Sequence, residues 1–342
     1  MKFSNNTMLF PVNRVLERTI ASSLGMLSEE LVAAATPDTQ VTTADNFLFM
    51  RGNYEQHRFS ANILESLRGA LGAALSNDSR DQEPLAWAET QNRLGNILAA
   101  MGQQQRAAEL YEKAIQCFNH ALEVLNQDDS PFGWAATQYN LGTASQALGR
   151  LQEDAKLLKT AVDAYTNALL VWSRDESPEE WMSAMYQLGA TFHAYGKLLK
   201  GNRTFQKSVV AYKNALAVLD ADNYALELTA THNNRGAVLH HLGESEENPE
   251  RLEEAIKSYE KALTVSMEQQ LPFHLAAICR VNKATAQNVL AELTNDAVLA
   301  EEVADEFEVI VECFPHALQP LCLKHCEEQM HKAKSLTLAA SA

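Results

Sequence analysis

The sequence predicts an all-α array of stacked, antiparallel helix pairs, and three observations predict it. Similar segments recur at a fixed spacing of 47 residues. Within each segment the apolar residues fall at helical spacing, and no stretch alternates apolar and polar residues as a strand would. A lone pair of helices cannot hide its apolar stripe, so successive pairs must stack.

The first helix of each pair opens the recurring segment. PLAWAETQNRLGNILAAMG begins at Pro84, PFGWAATQYNLGTASQALG at Pro131 and PEEWMSAMYQLGATFHAYG at Pro178. Weaker copies begin at Ala225 and Pro272. Proline suits a first helical turn, where its missing N–H would have no partner anyway. Ser130 and Ser177 precede two of these prolines and are expected to cap the free N–H groups. The helix is expected to end at Gly102, Gly149, Gly196 or Gly243 through a left-handed glycine.

The second helix carries Phe118, Tyr165, Tyr212 and Tyr259, again 47 residues apart, with Ala121-Leu122 and its equivalents close behind. Gly95, Gly142, Gly189 and Gly236 lie in the middle of the first helices. Each costs about 1 kcal/mol in helix propensity relative to alanine. That recurring cost predicts a packing need, in which a large ring such as Tyr165 fills the space opposite.

The chain divides by this reading into an N-terminal helical segment (1–36), a degenerate first repeat (37–83), four clear repeats (84–271), a degenerate fifth (272–316) and a closing helix with a tail (317–342). The closing helix carries LKHCEEQMHKAK, and the final SLTLAASA is expected to fray. Residues 1–36 either cap the other end or pack into another copy.

Composition excludes several classes. Of 342 residues, 46% are hydrophobic and 21% charged, which is enough apolar surface for a core and too little charge for disorder. The net charge of −16 repels phosphate, so nucleic acid is not an expected partner, and a neutral or basic protein fits better. Five cysteines form no disulfide framework and indicate a reducing compartment. Pro11 and Asn13 interrupt any signal-type apolar core, and Glu17, Glu29 and Glu30 argue against a transit peptide. No apolar run is long enough for a membrane span, so a cytoplasmic location is expected. No phosphate loop, dinucleotide fingerprint, nucleophile elbow or zinc-protease motif occurs, and neither enzyme activity nor a cofactor is expected.

Leu94-Gly95, Gly102, Ala114-Ile115, Phe118 and Ala121-Leu122 resemble the tetratricopeptide repeat signature. The family's usual unit is 34 residues. This chain is similar to a long variant with a 47-residue unit, found in bacterial multi-repeat proteins, whose extra residues are expected to lengthen the helices. The resemblance implies a right-handed superhelical solenoid whose first helices line a concave, partner-binding face. Carried over position by position, it assigns to that groove Asn92, Asn96, Tyr139, Thr143, Gln146, Tyr186, His193, Asn233, His240 and His241. The set is neutral, polar and aromatic. Asparagine both donates and accepts, and tyrosine offers apolar area at little entropic cost. The same residues would also serve as ordinary helix positions. Lysine is absent from the set, so the clamp by which some family members hold a C-terminal carboxylate is not expected. His193, His240 and His241 are read first as partly exposed helix histidines; the alternative is that they make the groove pH-sensitive, since imidazole titrates near neutrality.

These readings lead to a non-enzymatic scaffold or adaptor that binds a protein or peptide. One alternative is a structural subunit of a larger assembly or homo-oligomer, using its ends or convex face. The other is a metal-binding C-terminal segment. Cys313, His316, Cys322, His325 and Cys326 have ligand-like spacing, although the three cysteines equally fit an apolar helix face.

Overall fold

A computed structural model of the protein describes residues 65–66, 68–73, 75, 80–313 and 320–341. The N-terminal segment 1–36 and most of the degenerate first repeat lie outside them. Among the described residues there is helix and no strand. The described residues separate into two compact units, the first running to Gly201 and the second from Asn202.

The first unit contains α1 (Pro84–Gln105), α2 (Ala108–Leu122), α3 (Pro131–Leu151), α4 (Ala155–Ala168) and α5 (Pro178–Leu199). Each helix packs on the next, and the first helices also pack on one another, α1 on α3 and α3 on α5. The core between α1 and α4 is built from Leu98, Ala114, Phe118, Leu141, Ala144 and Leu148. Trp87 and Trp134 flank a smaller cluster of Ala88, Ala121 and Leu125.

The second unit contains α6 (Asn202–Leu216), α7 (Ala221–Glu246), α8 (Pro249–Glu268), α9 (Phe273–Thr294), α10 (Ala297–Cys313) and α11 (Pro320–Ser341). Consecutive helices from α6 to α10 pack together, α7 lies on α9, and α11 covers both α9 and α10. Ile278, Val281, Val303, Phe307, Ile310, Cys322 and Cys326 form the core beneath that covering helix. Helix α11 continues to Ser341, so the tail expected to fray extends the closing helix instead.

Gly95, Gly142 and Gly236 face rings, as the recurrence of mid-helix glycines predicted. A Cβ on Gly142 would lie 2.9 Å from the Tyr165 ring, and one on Gly95 or Gly236 would lie 2.5 Å from Phe118 or 2.7 Å from Tyr259. No carbon can sit at such distances, so the bare backbone is what lets each ring enter the joint.

The expected helix ends are corrected. No described glycine has positive φ, and the first helices run past Gly102, Gly149, Gly196 and Gly243. The left-handed residues stand four positions later, at Arg106, Glu153, Lys200 and Glu247. After each, the next N–H returns to the glycine carbonyl: Ala107 to Gly102 at 3.1 Å, Asp154 to Gly149 at 2.9 Å and Asn248 to Gly243 at 2.9 Å. This six-to-one bond is the Schellman closure. Three of the glycines serve close approach. A Cβ on Gly102 would press on the Tyr111 ring at 3.2 Å, one on Gly149 on the Leu158 nitrogen at 3.0 Å, and one on Gly243 on Leu252 Cγ at 2.6 Å.

The residue after the left-handed one starts the second helix. Asp154 accepts from the N–H of Lys156 at 2.7 Å, and Asn248 from that of Arg251 at 3.2 Å. Ala107 occupies the same extended conformation with no capping group. Pro84, Pro131 and Pro178 do open helices, but Ser130 and Ser177 make no side-chain cap bond. Their carbonyls accept instead, from Trp134 N at 2.8 Å and Trp181 N at 2.9 Å. The fourth first helix begins at Ala221, capped by Asp220, with non-helical backbone at Tyr224. In the fifth, Pro272 is the N-cap and not the first helical residue.

Candidate functional site

In each unit the first helices of successive pairs touch directly, so they lie on the more tightly packed side. This is the side on which the resemblance places the groove. Seven of its ten proposed residues are buried: Asn96, Tyr139, Thr143, Gln146, Tyr186, Asn233 and His240. Asn92, His193 and His241 are half-buried.

The buried residues join helices to one another. In the first unit the Tyr165 hydroxyl donates to Thr143 Oγ1 at 3.1 Å. The Gln146 amide donates to the Gln187 carbonyl at 3.4 Å, tying α3 to α5. Tyr139 packs edge-on against Tyr165 and tilted against Trp172, with ring centres 5.4 and 5.5 Å apart. Asn140 donates to Asn92 Oδ1 at 3.1 Å, so a hydrogen bond between side-chain amides joins α3 to α1.

The second unit repeats the device. Asn282 donates to Asn233 Oδ1 at 2.9 Å, joining α9 to α7. Asn288 donates to Gln329 Oε1 at 2.8 Å, and Thr285 Oγ1 lies 3.1 Å from His325 Nε2, joining α9 to α11. Sequence reading missed these amide joints, because the two partners lie on different repeats. The one signal that could have found them is the run of Asn and Gln at neighbouring positions of the first helices.

His240 is fully buried, and neither ring nitrogen has a hydrogen-bond partner among the described residues. Its nearest charge is Glu244, 3.9 Å away. Burial pushes its pKa down to about 4, and Glu244 offsets only part of that effect. The alternative reading, in which His240 titrates near neutrality, is therefore corrected. His241 stacks on Phe205, with ring centres 5.8 Å apart.

At the C-terminal end, Cys322 and Cys326 are buried in the apolar core and Cys313 is exposed. The hydrogen bond with Cys322, followed by burial, holds the Cys326 thiol far above its usual range, so it stays protonated. His325 faces Thr285. His316 lies outside the described residues, among which no three metal-ligating side chains come together.

Helix pairs with small residues under aromatic rings, stacked edge to edge, define a helical-hairpin repeat protein. Family comparison agrees: tetratricopeptide repeat models match residues 87–131 and residues 233–266. The chain carries tetratricopeptide repeats in both segments. No curated protein matches it. Tetratricopeptide repeats generally mediate protein–protein interaction and scaffolding, and proteins built from them are typically not enzymes. Among the described residues no helix is long and apolar enough to cross a membrane.

Proposed function

We propose that this protein is a non-enzymatic scaffold that holds a neutral or basic protein segment on the face that first helices form within a unit. One observation carries the reading: those helices pack side by side in each unit, with polar and small side chains on the shared surface. Asn92, His193 and His241 are the half-exposed members that would meet a partner. Ala136 and Ser183 occupy equivalent half-exposed positions on α3 and α5. The buried amides and tyrosines fix the spacing of the helices from beneath. The net charge of −16 favours a basic or neutral partner over an acidic one. No nucleic acid, cofactor or metal has a part in this reading, and a reducing cytoplasm suits its free thiols.

Bulky substitution of the half-exposed positions tests it. Ala136→Trp and Ser183→Trp are expected to lower recovery of the natural partner from native lysate at least about tenfold, equivalent to ~1.4 kcal/mol. Gln116→Trp on α2 is expected to leave recovery unchanged. Equal recovery by all three variants would refute the first-helix face.

A further inference from the structure

The outward faces of two second helices, α6 and α10, are alike in shape and opposite in charge. Both belong to the second unit and carry the equivalent core rings Tyr212 and Phe307. Around Tyr212, the exposed positions of α6 hold Arg203, Gln206, Lys207, Val210 and Lys213, and the helix has no acidic residue. Around Phe307, the exposed positions of α10 hold Val298, Glu301, Glu302, Asp305, Glu308, Val309 and Glu312, and the helix has no basic residue. At 100° per residue each set falls on one stripe about 120° wide. The signs oppose at two equivalent positions: Lys207 and Lys213 stand five before and one after the ring of α6, Glu302 and Glu308 five before and one after that of α10.

Both stripes have exposed valine near their centre. Val210 is 56% exposed, Val298 69% and Val309 40%. On α10, Glu306 is taken by Arg280 at 2.9 Å and Glu308 reaches Lys334 at 3.6 Å. Glu301, Glu302, Asp305 and Glu312 have no ion pair among the described residues. The helix between the two, α8, is unlike either: its acids and bases mix on one surface, as in the Arg251–Glu254 pair at 3.4 Å.

We propose that the acidic stripe of α10 docks on the basic stripe of α6 in a second copy of this chain. The two patches differ, so the contact forms either twice across a two-fold axis, α10 on α6 and α6 on α10, or once per pair, head-to-tail in a ring or an open filament. A foreign basic segment would fit α10 but would leave the matching stripe of α6 without a role. The overall charge of −16 opposes association at long range. At physiological salt that repulsion is screened beyond about 8 Å, while contacts across the docked stripes persist. The inference concerns second helices and stands apart from the partner face proposed on the first helices.

Two charge-reversed variants of the full chain test it: one carries Arg203→Glu, Lys207→Glu and Lys213→Glu, the other Glu301→Lys, Glu302→Lys and Asp305→Lys. All six positions are exposed, and circular dichroism confirms that each variant folds. In sedimentation at about 0.1 M salt, with protein up to about 1 mM, the range of weak association, wild type is expected to exceed monomer mass. Each variant alone is expected to stay monomeric, and an equal mixture of the two to regain the wild-type mass. Added salt is expected to weaken all association. A monomeric wild type, a single variant that assembles as wild type does, or a mixture that stays monomeric would overturn the proposal. So would a basic peptide that binds α10 while the wild type stays monomeric.

Discussion

A methyl group at Gly142 would need the space that the Tyr165 ring already fills. Overpacking of this kind costs about 1–3 kcal/mol, against ~1 kcal/mol gained in helix propensity. Gly142→Ala is therefore expected to lower the denaturation midpoint by a net loss of up to about 2 kcal/mol. Gly133→Ala is the control, because its new Cβ would make ordinary van der Waals contact, 3.6 Å from Leu125 and 4.0 Å from Ser130. It is expected to leave stability unchanged or raise it by up to ~1 kcal/mol. Equal effects at both sites would contradict the ring-in-joint account. Ala107 offers the opposite opportunity: its backbone (φ −99°, ψ 107°) nearly repeats that of the capping Asp154 (φ −94°, ψ 109°). Ala107→Asp is expected to add about 1 kcal/mol, read as a higher denaturation midpoint. The glycines that face rings were legible in the sequence, because a helix breaker repeated at mid-helix has few other reasons. The glycines read as helix ends were not. They recur just as regularly, and only the backbone angles show that Arg106 and Glu153 take the left-handed position.

Helices α7, α9 and α11 bury histidines. Burial lowers the pKa of His232, His240, His274 and His325, and those of His232 and His240 fall to about 4. A histidine held neutral in the fold binds protons more readily when the chain unfolds. Its contribution is complete above the unfolded pKa of about 6.5 and is lost as pH falls toward the folded value. A shift from about 6.5 to about 4 corresponds to roughly 3 kcal/mol for His240. The second unit is therefore expected to lose denaturant resistance steeply between pH 7 and pH 5, followed by urea midpoints at the two values. His240→Leu is expected to flatten that dependence, because its ring gives up no hydrogen bond. Identical midpoints at both pH values in the wild type would rule the account out. The helices themselves were legible from their periodicity. The burial of their polar residues was not, because the amide joints from Asn140 to Asn92 and from Asn282 to Asn233 cross between repeats. A sequence pattern within one repeat carries no trace of such a partner.

Stacking explains both what the repeat period disclosed and what it concealed. The rings at Phe118, Tyr165, Tyr212 and Tyr259 keep one spacing throughout, and that made the succession of helix pairs readable. The same regularity hid the division between Gly201 and Asn202, which falls inside a repeat whose spacing is unbroken. It also hid the contrast between α6 and α10, since outward positions do not affect the period. The account as a whole rests on the first helices being the surface that a partner meets. Site-specific photo-cross-linking tests this most directly, with the reactive group placed at Ala136, Ser183 or His193 on first helices and at Gln116 or Asp163 on second helices. Adducts with the partner are expected from the first three positions and none from the last two. Adducts confined to Gln116 and Asp163 would contradict the account.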